Sequence, residues 1–254
     1  MTQTKLKWVA LFSMLLDHTA KIVVASGAMY PYLDAQITAA VYDIMVILGR
    51  VAFPIFAWFV AEGCRNTKSS GRYLLRLLLF AILSELPFQY CFYGAAYTGP
   101  QLGCHNVLFT FLLSAAAISC GKNAERIHSP VIRYILPSFA AMILGYFLYT
   151  DYNTWGIVLV LGLYYLPGKK TRLIYLTVWN AVFYLIWHGL NGTTLVWLTP
   201  GGQIHLYYLL GAMLAVILLY FYNGEQGRKM KWLFYLFYPM HLIALYLLST
   251  IALY

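Results

Sequence analysis

Charge is the scarcest feature of this sequence: 10% of its 254 residues are Asp, Glu, Lys or Arg, 62% are hydrophobic and 18% are aromatic. A typical globular domain carries ~25% charge, so a soluble domain of this size is excluded and the composition fits a chain whose solvent is a bilayer. Acidic residues are scarcest of all, 8 against 17 Lys and Arg, for a formal net charge of +9. That excess does not imply nucleic acid, because the basic residues fall in short clusters between apolar runs and not across one face of a fold. The four cysteines, Cys64, Cys91, Cys104 and Cys120, lack metal-ligand spacing. No helix pair of the HExxH kind exists either, and no metal is expected. Unpaired thiols are the default, with a Cys91–Cys104 disulfide as the alternative, because both flank a stretch read as extracytoplasmic. No linker, repeat or low-complexity segment divides the chain, which reads as one domain over 1–254.

What is abundant is long apolar runs. Nine candidate spans follow, at 6–25, 41–63, 73–92, 105–120, 132–149, 155–167, 172–189, 204–222 and 232–253. The first is read as a retained helix and not a signal peptide, since ionisable residues interrupt it and no A-x-A-type site follows. Of the 17 basic residues, 14 lie in alternate connections or at the span edges beside them, and only Lys21, Arg50 and Arg76 sit in the interior of spans. The positive-inside rule then predicts an all-α polytopic membrane bundle of about nine helices, with a cytoplasmic N-terminus and an extracytoplasmic C-terminus. The sixth span is short, but a re-entrant reading of it would break the alternation. The polar connections 26–40, 93–104 and 190–203, which carry no Lys or Arg, read as outer loops.

The first span, LKWVALFSMLLDHTAKIVVA, carries Asp17, His18 and Lys21 at its middle. Each ionisable group near mid-depth costs on the order of 3 kcal/mol on insertion scales, so such groups have a function or a neighbour that neutralises them. An Asp17–Lys21 pair at i, i+4 is one neutralising solution and an Asp17–Arg50 bridge is another. Neither accounts for His18. At 1.5 Å per residue, Asp17 and His18 lie ~14 Å beyond Trp8, and Arg50 and His241 fall at a similar depth on other spans. Three helices thus bring polar groups to one level. Pro54 frees a backbone carbonyl and bends the second span just below Arg50, and Gly49 admits a close neighbour.

Near the cytoplasmic boundary, Arg72 and Arg76 share a face at i, i+4, and with Arg65 and Lys68 they form a basic pocket suited to phosphates. Lipid headgroup anchoring is the alternative, and the deeper Arg76 argues against it. Glu62 and Arg65, at i, i+3, read as a pair. Glu85 lies half a turn around from Arg76, so the two share a cavity only if Pro87 distorts the helix. At the outer ends stand His105 and Asn106, then Asp151 as a cap for the sixth span, and His188 and His205.

The segments LKWVALFSMLLDHTAKI, ILGRVAFPIFAWFVAEGCRNT, RYLLRLLLFAILSELPF, HNVLFTFLL, TDYNTWGIVLV and KWLFYLFYPMHLIAL together resemble the TraX family, named for the F-pilin acetylase of bacterial conjugation. The likeness covers most of the chain in order and spacing. TraX-like proteins are in turn similar to the wider transmembrane acyltransferase group, in which acetyl-CoA enters from the cytoplasm and the acetyl group reaches an acceptor across the membrane. The resemblance implies His18 with Asp17 as the catalytic pair, Arg50 at the reacting centre, and Arg72 and Arg76 on the CoA phosphates. It also implies His241, in YPMH, as a pocket residue. The chain departs from the family at Asn153, where Gly is usual, and at Thr19, where Ile or Val is usual.

The expectation is therefore an acetyl-CoA-dependent membrane acetyltransferase of the bacterial cytoplasmic membrane, acting on an amine or hydroxyl such as a pilin N-terminus, a glycan or a small molecule. His18 is the expected base, oriented by Asp17, with Arg50 steadying the thioester or oxyanion. A variant route acetylates His18 transiently. Arg72, Arg76, Arg65 and Lys68 hold CoA, and Glu85, His105, Asn106, Asp151 and His241 line the substrate pocket. The partners are acetyl-CoA, an acceptor the sequence does not identify, and the lipid bilayer, with no nucleic acid. Two other classes stay open: a proton-coupled transporter, and a non-catalytic pilus or surface assembly factor.

Overall fold

Leu, Ala, Ile and Phe dominate the apolar windows, and with every backbone group needing an internal hydrogen bond in lipid, helix is the available solution. The computed structural model describes residues 1–27, 32–94, 104–187, 203–228 and 230–252. Among these the regular structure is helical throughout, apart from one isolated bridge between His105 and Thr150. Helix α1 is Gln3–Thr19 and runs on as a π turn, Ala20–Val24; α2 is Ala35–Gly49, α3 Ala52–Asn66, α4 Ser70–Tyr93 and α5 Val107–Asn123. A π turn, Val131–Ile135, leads into α6, Leu136–Phe147, and α7 is Asn153–Tyr165. Helix α8, Lys169–Ala181, continues as the π turn Val182–Trp187, and α9 and α10 are Gln203–Tyr220 and Lys231–Ala252.

Within the described residues each candidate span overlaps helix, the second overlapping two helices, α2 and α3. Among the described residues three stretches are long and apolar enough to cross a membrane: Ala35–Asn66, Ser70–Tyr93 and Trp232–Ile251. Shorter apolar helices occupy Val107–Asn123, Val131–Phe147, Asn153–Tyr165 and Leu206–Tyr220. Large apolar side chains such as Phe12, Leu75, Leu86, Phe147 and Ile251 are exposed along them, a surface that suits lipid and not water.

The starts are set by short polar caps. Thr2 accepts from Lys5 N, Asp34 from Ile37 N, Ser69 from Arg72 N and Asn106 from Leu108 N. The second span is not one rod: the helix breaks between Gly49 and Ala52, with Arg50 and Val51 in a turn. Pro54 has no N–H for the carbonyl of Arg50 and its ring crowds that turn, the bend the sequence predicts. Helix α7 does not start on an Asp151 cap. Tyr152 is its N-cap residue, at φ 60°, and Asn153 follows at φ 45°; Asn is among the few side chains that tolerate this left-handed region, which Gly adopts freely.

The chain divides into two compact units, one of Met1–Phe56 with Leu173–Tyr254, the other of Ala57–Arg172. In the first, α1 packs on α2 and α10, and α2 packs on α9. The Met1 ammonium donates to Phe221 O at 2.5 Å, Gln3 N to Glu225 O at 2.8 Å and Thr4 Oγ1 to Gln226 O at 2.9 Å. In the second, α5 is central and packs on α4, α6 and α7. Lys122 Nζ donates to Cys64 O and Thr67 O at 3.2 and 3.1 Å, while His105 and Asp151 join backbones at the opposite end of α5. Within each unit, connections that the charge pattern puts on one side meet each other. Cys64, Cys104 and Cys120 are free thiols.

Candidate functional site

In the first unit the mid-span polar residues converge. Asp17 is 7% exposed, and its carboxylate is divided between two cations: Oδ2 accepts from Lys21 Nζ at 2.7 Å and Oδ1 accepts from Arg50 Nη2. Both neutralising solutions therefore operate at once. Arg50 also donates from Nε to Val46 O at 3.3 Å and lies with its Cζ 5.5 Å from the centre of the Tyr208 ring. The turn at Arg50 frees the guanidinium to point across to α1, and two glycines bring the helices close enough. A Cβ on Gly49 would overlap Asp17, and one on Gly211 would overlap the carbonyl oxygen of Ile47. Tyr208 carries no signal that separates it from the other tyrosines of the sequence.

His18 faces elsewhere. Its Nδ1 lies 2.7 Å from His241 Nε2, and the two rings lie 5.0 Å apart with planes within 11°. His241 is 6% exposed, and its Nδ1 donates to Phe237 O at 2.7 Å. Neighbouring residues on a helix project ~100° apart, so Asp17 and His18 reach different helices from one turn. His18 Nδ1 thus meets the imidazole of His241, while the Asp17 carboxylate, the partner the sequence suggests for His18, accepts from Lys21 and Arg50. The π turn begins two residues after His18, with Ala25 N donating to Ala20 O at 2.9 Å, a local widening of the kind often found at functional sites.

The remaining candidates belong to the second unit and form three groups. At one end Glu85 is a hub: Oε1 accepts from His105 Nδ1 at 2.6 Å and from Gln89 Nε2 at 2.7 Å, and Oε2 from Asn106 Nδ2 at 2.6 Å and Asn106 N at 3.2 Å. This fastens the start of α5 to α4. Asp151 joins through its backbone, donating to His105 O at 2.8 Å and accepting from the Thr110 hydroxyl, while its Oδ1 accepts from Tyr152 N. Glu85, His105, Asn106 and Asp151 thus come together as a group of their own, distinct from the His18–His241 pair of the first unit.

The second group surrounds Arg65. Its Nη2 donates to Tyr164 O, to Leu163 O at 2.6 Å and to Leu166 O at 3.4 Å, capping the last turn of α7. Glu62 accepts from Trp58 Nε1 at 3.0 Å and lies 3.8 Å from Arg172 Nη1, whose Cζ sits 4.4 Å over the Trp58 ring. Arg65, expected to pair with Glu62, directs its hydrogen bonds to the carbonyl end of α7, which offers several acceptors at once, with the Glu62 carboxylate acting on it through charge. The Trp58–Glu62 half was readable at i, i+4; Arg172 was not.

In the third group Lys68 and Arg72 are exposed, and the Cζ of Arg76 lies 5.9 Å from the Tyr73 ring centre. The Nε of Arg76 is buried with no hydrogen-bond partner, the sort of orphan donor an anion would satisfy. His188, residues 190–202 of the expected outer loop 190–203 and the side chain of His205 lie outside the described residues.

The chain is 25% identical over 249 residues to a protein of Dichelobacter nodosus named probable fimbrial assembly protein FimC, serogroup H1, with 95% of this chain and 93% of the relative covered. No solved structure matches. A family model described as TraX protein matches residues 2–249, and the chain belongs to the TraX family.

Proposed function

We propose that the chain is a membrane-embedded acetyltransferase that takes acetyl from cytoplasmic acetyl-CoA and passes it to an amine or hydroxyl acceptor at or across the bacterial cytoplasmic membrane. The observation that carries this reading is the half-buried, hydrogen-bonded pair of His18 with the buried His241, His18 lying on the same helix turn as Asp17 of the Asp17–Lys21–Arg50 cluster. Acyl transfer needs a base for the acceptor and a positive group where charge develops on the thioester oxygen. His18 supplies the first and Arg50 the second. Asp17 balances Arg50 and Lys21, so that the guanidinium is held in place without the full cost of an unpaired buried charge.

The donor site is a proposal on the same footing. Arg76, with its unsatisfied Nε, and the exposed Arg72 and Lys68 suit the phosphates of CoA. Arg65 serves the end of α7 and contributes field more than a contact. The nine-span arrangement, with the N-terminus in the cytoplasm, fits the contacts among like-sided connections within each unit. A direct test is binding of acetyl-CoA to detergent-purified protein, wild type against Arg76→Ala. Specific binding that weakens at least tenfold in the variant supports the donor site. Absence of binding by folded wild-type protein overturns the reading.

A second reading is a non-catalytic factor in assembly of a surface appendage, favoured by the name of the Dichelobacter nodosus relative. It is separated by His18→Ala: loss of acetyl transfer with normal accumulation supports the enzyme, and unimpaired appendage assembly by that variant supports the assembly factor.

A further inference from the structure

We infer that His241 is a positioning residue that fixes the tautomer of His18, so that Nε2 of His18 is the nitrogen that accepts the proton. The inference rests on the acetyl-transfer reading for what that proton is, and on hydrogen-bond directions for which nitrogen takes it. A carbonyl oxygen only accepts, so the 2.7 Å contact between His241 Nδ1 and Phe237 O puts a hydrogen on Nδ1. In a neutral ring the other nitrogen then carries the lone pair. His241 Nε2 must accept across its 2.7 Å contact, and Nδ1 of His18 must donate. The lone pair of His18 is thereby left on Nε2.

The neutral form of His241 is the one that fits its surroundings. One turn of α1 already holds Lys21 and Arg50 against the single carboxylate of Asp17, an excess of one positive charge beside the pair. The ring is also clamped. Phe237 stacks on it with centroids 4.9 Å apart and planes within 13°, and Tyr238 meets both His241 and His18 edge-on at 5.5 and 6.1 Å. A clamped ring with one nitrogen committed to backbone has a single way to meet His18.

The step balances as follows. The acceptor nitrogen or oxygen bonds to the acetyl carbon while the carbon–sulfur bond of the thioester breaks. The acceptor's proton passes to Nε2 of His18 and from there to the departing CoA thiolate. Throughout, the Nδ1 hydrogen of His18 stays directed at Nε2 of His241, which meets the developing imidazolium with a lone pair.

The test is nitrogen-15 NMR of histidine-labelled full-length protein in lipid nanodiscs, with the two rings assigned by single substitutions. Wild-type His18 is expected as the Nδ1–H tautomer. His241→Phe keeps the stacking and removes the acceptor, so His18 should relax to a mixture and release of CoA thiol from acetyl-CoA should fall by about 10²–10⁴-fold in kcat with little change in KM. His241→Gln places an amide oxygen near the position of Nε2 and should keep the tautomer and most of the rate. An Nε2–H tautomer in wild-type His18 overturns the inference even if His241→Phe does not fold, and so does an unchanged tautomer in a folded His241→Phe protein. The expected tautomers in a protein that never releases CoA leave the positioning role intact and remove the acetyl-transfer reading.

Discussion

Gly49 lies so close to Asp17 that a Cβ at Gly49 would overlap the Cα, Cβ and Oδ1 of Asp17. This backbone-to-backbone approach lets Arg50, the next residue, reach the same carboxylate. Small residues at helix crossings inside a membrane serve such close packing.

Gly49→Ala should therefore act as an overpacking change with an electrostatic consequence. We expect a loss of about 1–3 kcal/mol in stability, with Gly211→Ala of similar size because its Cβ meets a carbonyl oxygen. Thermal unfolding in detergent measures both. Gly71→Ala is the control, since nothing lies within 4 Å of its added Cβ; a shift as large there would refute the packing account.

The divided carboxylate predicts an asymmetry. Asp17→Asn leaves Arg50 and Lys21 facing each other without a counter-charge and should cost about 3–5 kcal/mol. Lys21→Met should cost under about 1 kcal/mol, because the Lys21 side chain is 33% exposed against 13% for Arg50. Unfolding equilibria in lipid bicelles would measure the two, and equal losses would mean that Lys21 carries as much of the pair as Arg50.

Cysteine chemistry offers a check outside the spans. Burial, reinforced by the Asp151 carboxylate, pushes the Cys104 thiol up to about 12. At pH 8 roughly 10⁻⁴ of it is thiolate, and alkylation should be slow and accelerate about tenfold for each pH unit up to that value. Cys120 is exposed and should react at least tenfold faster at pH 8. Time-resolved mass shifts with a maleimide distinguish the two sites.

The sidedness of the connections is testable with a membrane-impermeant thiol reagent in a background lacking the native cysteines. A cysteine at Tyr32, 82% exposed, should be labelled in intact spheroplasts. Cysteines at Lys68 and Glu225 should be labelled only after the membrane is opened. Labelling of all three in intact spheroplasts would refute the proposed orientation.

The sequence by itself determined the helical segments, because apolar runs of this length have no other way to satisfy their backbone, and Pro54 marked the break beside Arg50. It also brought Asp17, His18, Arg50 and His241 to one depth, since helical rise is fixed. Pairing was decided by the tertiary structure. Asp17 had two available cations and binds both, because Lys21 is one turn along its own helix and Gly49 lets α2 come near enough for Arg50. His18 and His241 lie 223 residues apart, and no spacing rule relates the angular positions of two helices that far apart in the chain. The same holds for Arg65, whose hydrogen bonds go to the carbonyls of α7, and for Arg172, whose place over Trp58 depends on how α3 and the start of α8 meet. Local rules fix rise and rotation within a helix, whereas the contacts of a site are set by how neighbouring helices are turned toward each other, and that follows from packing.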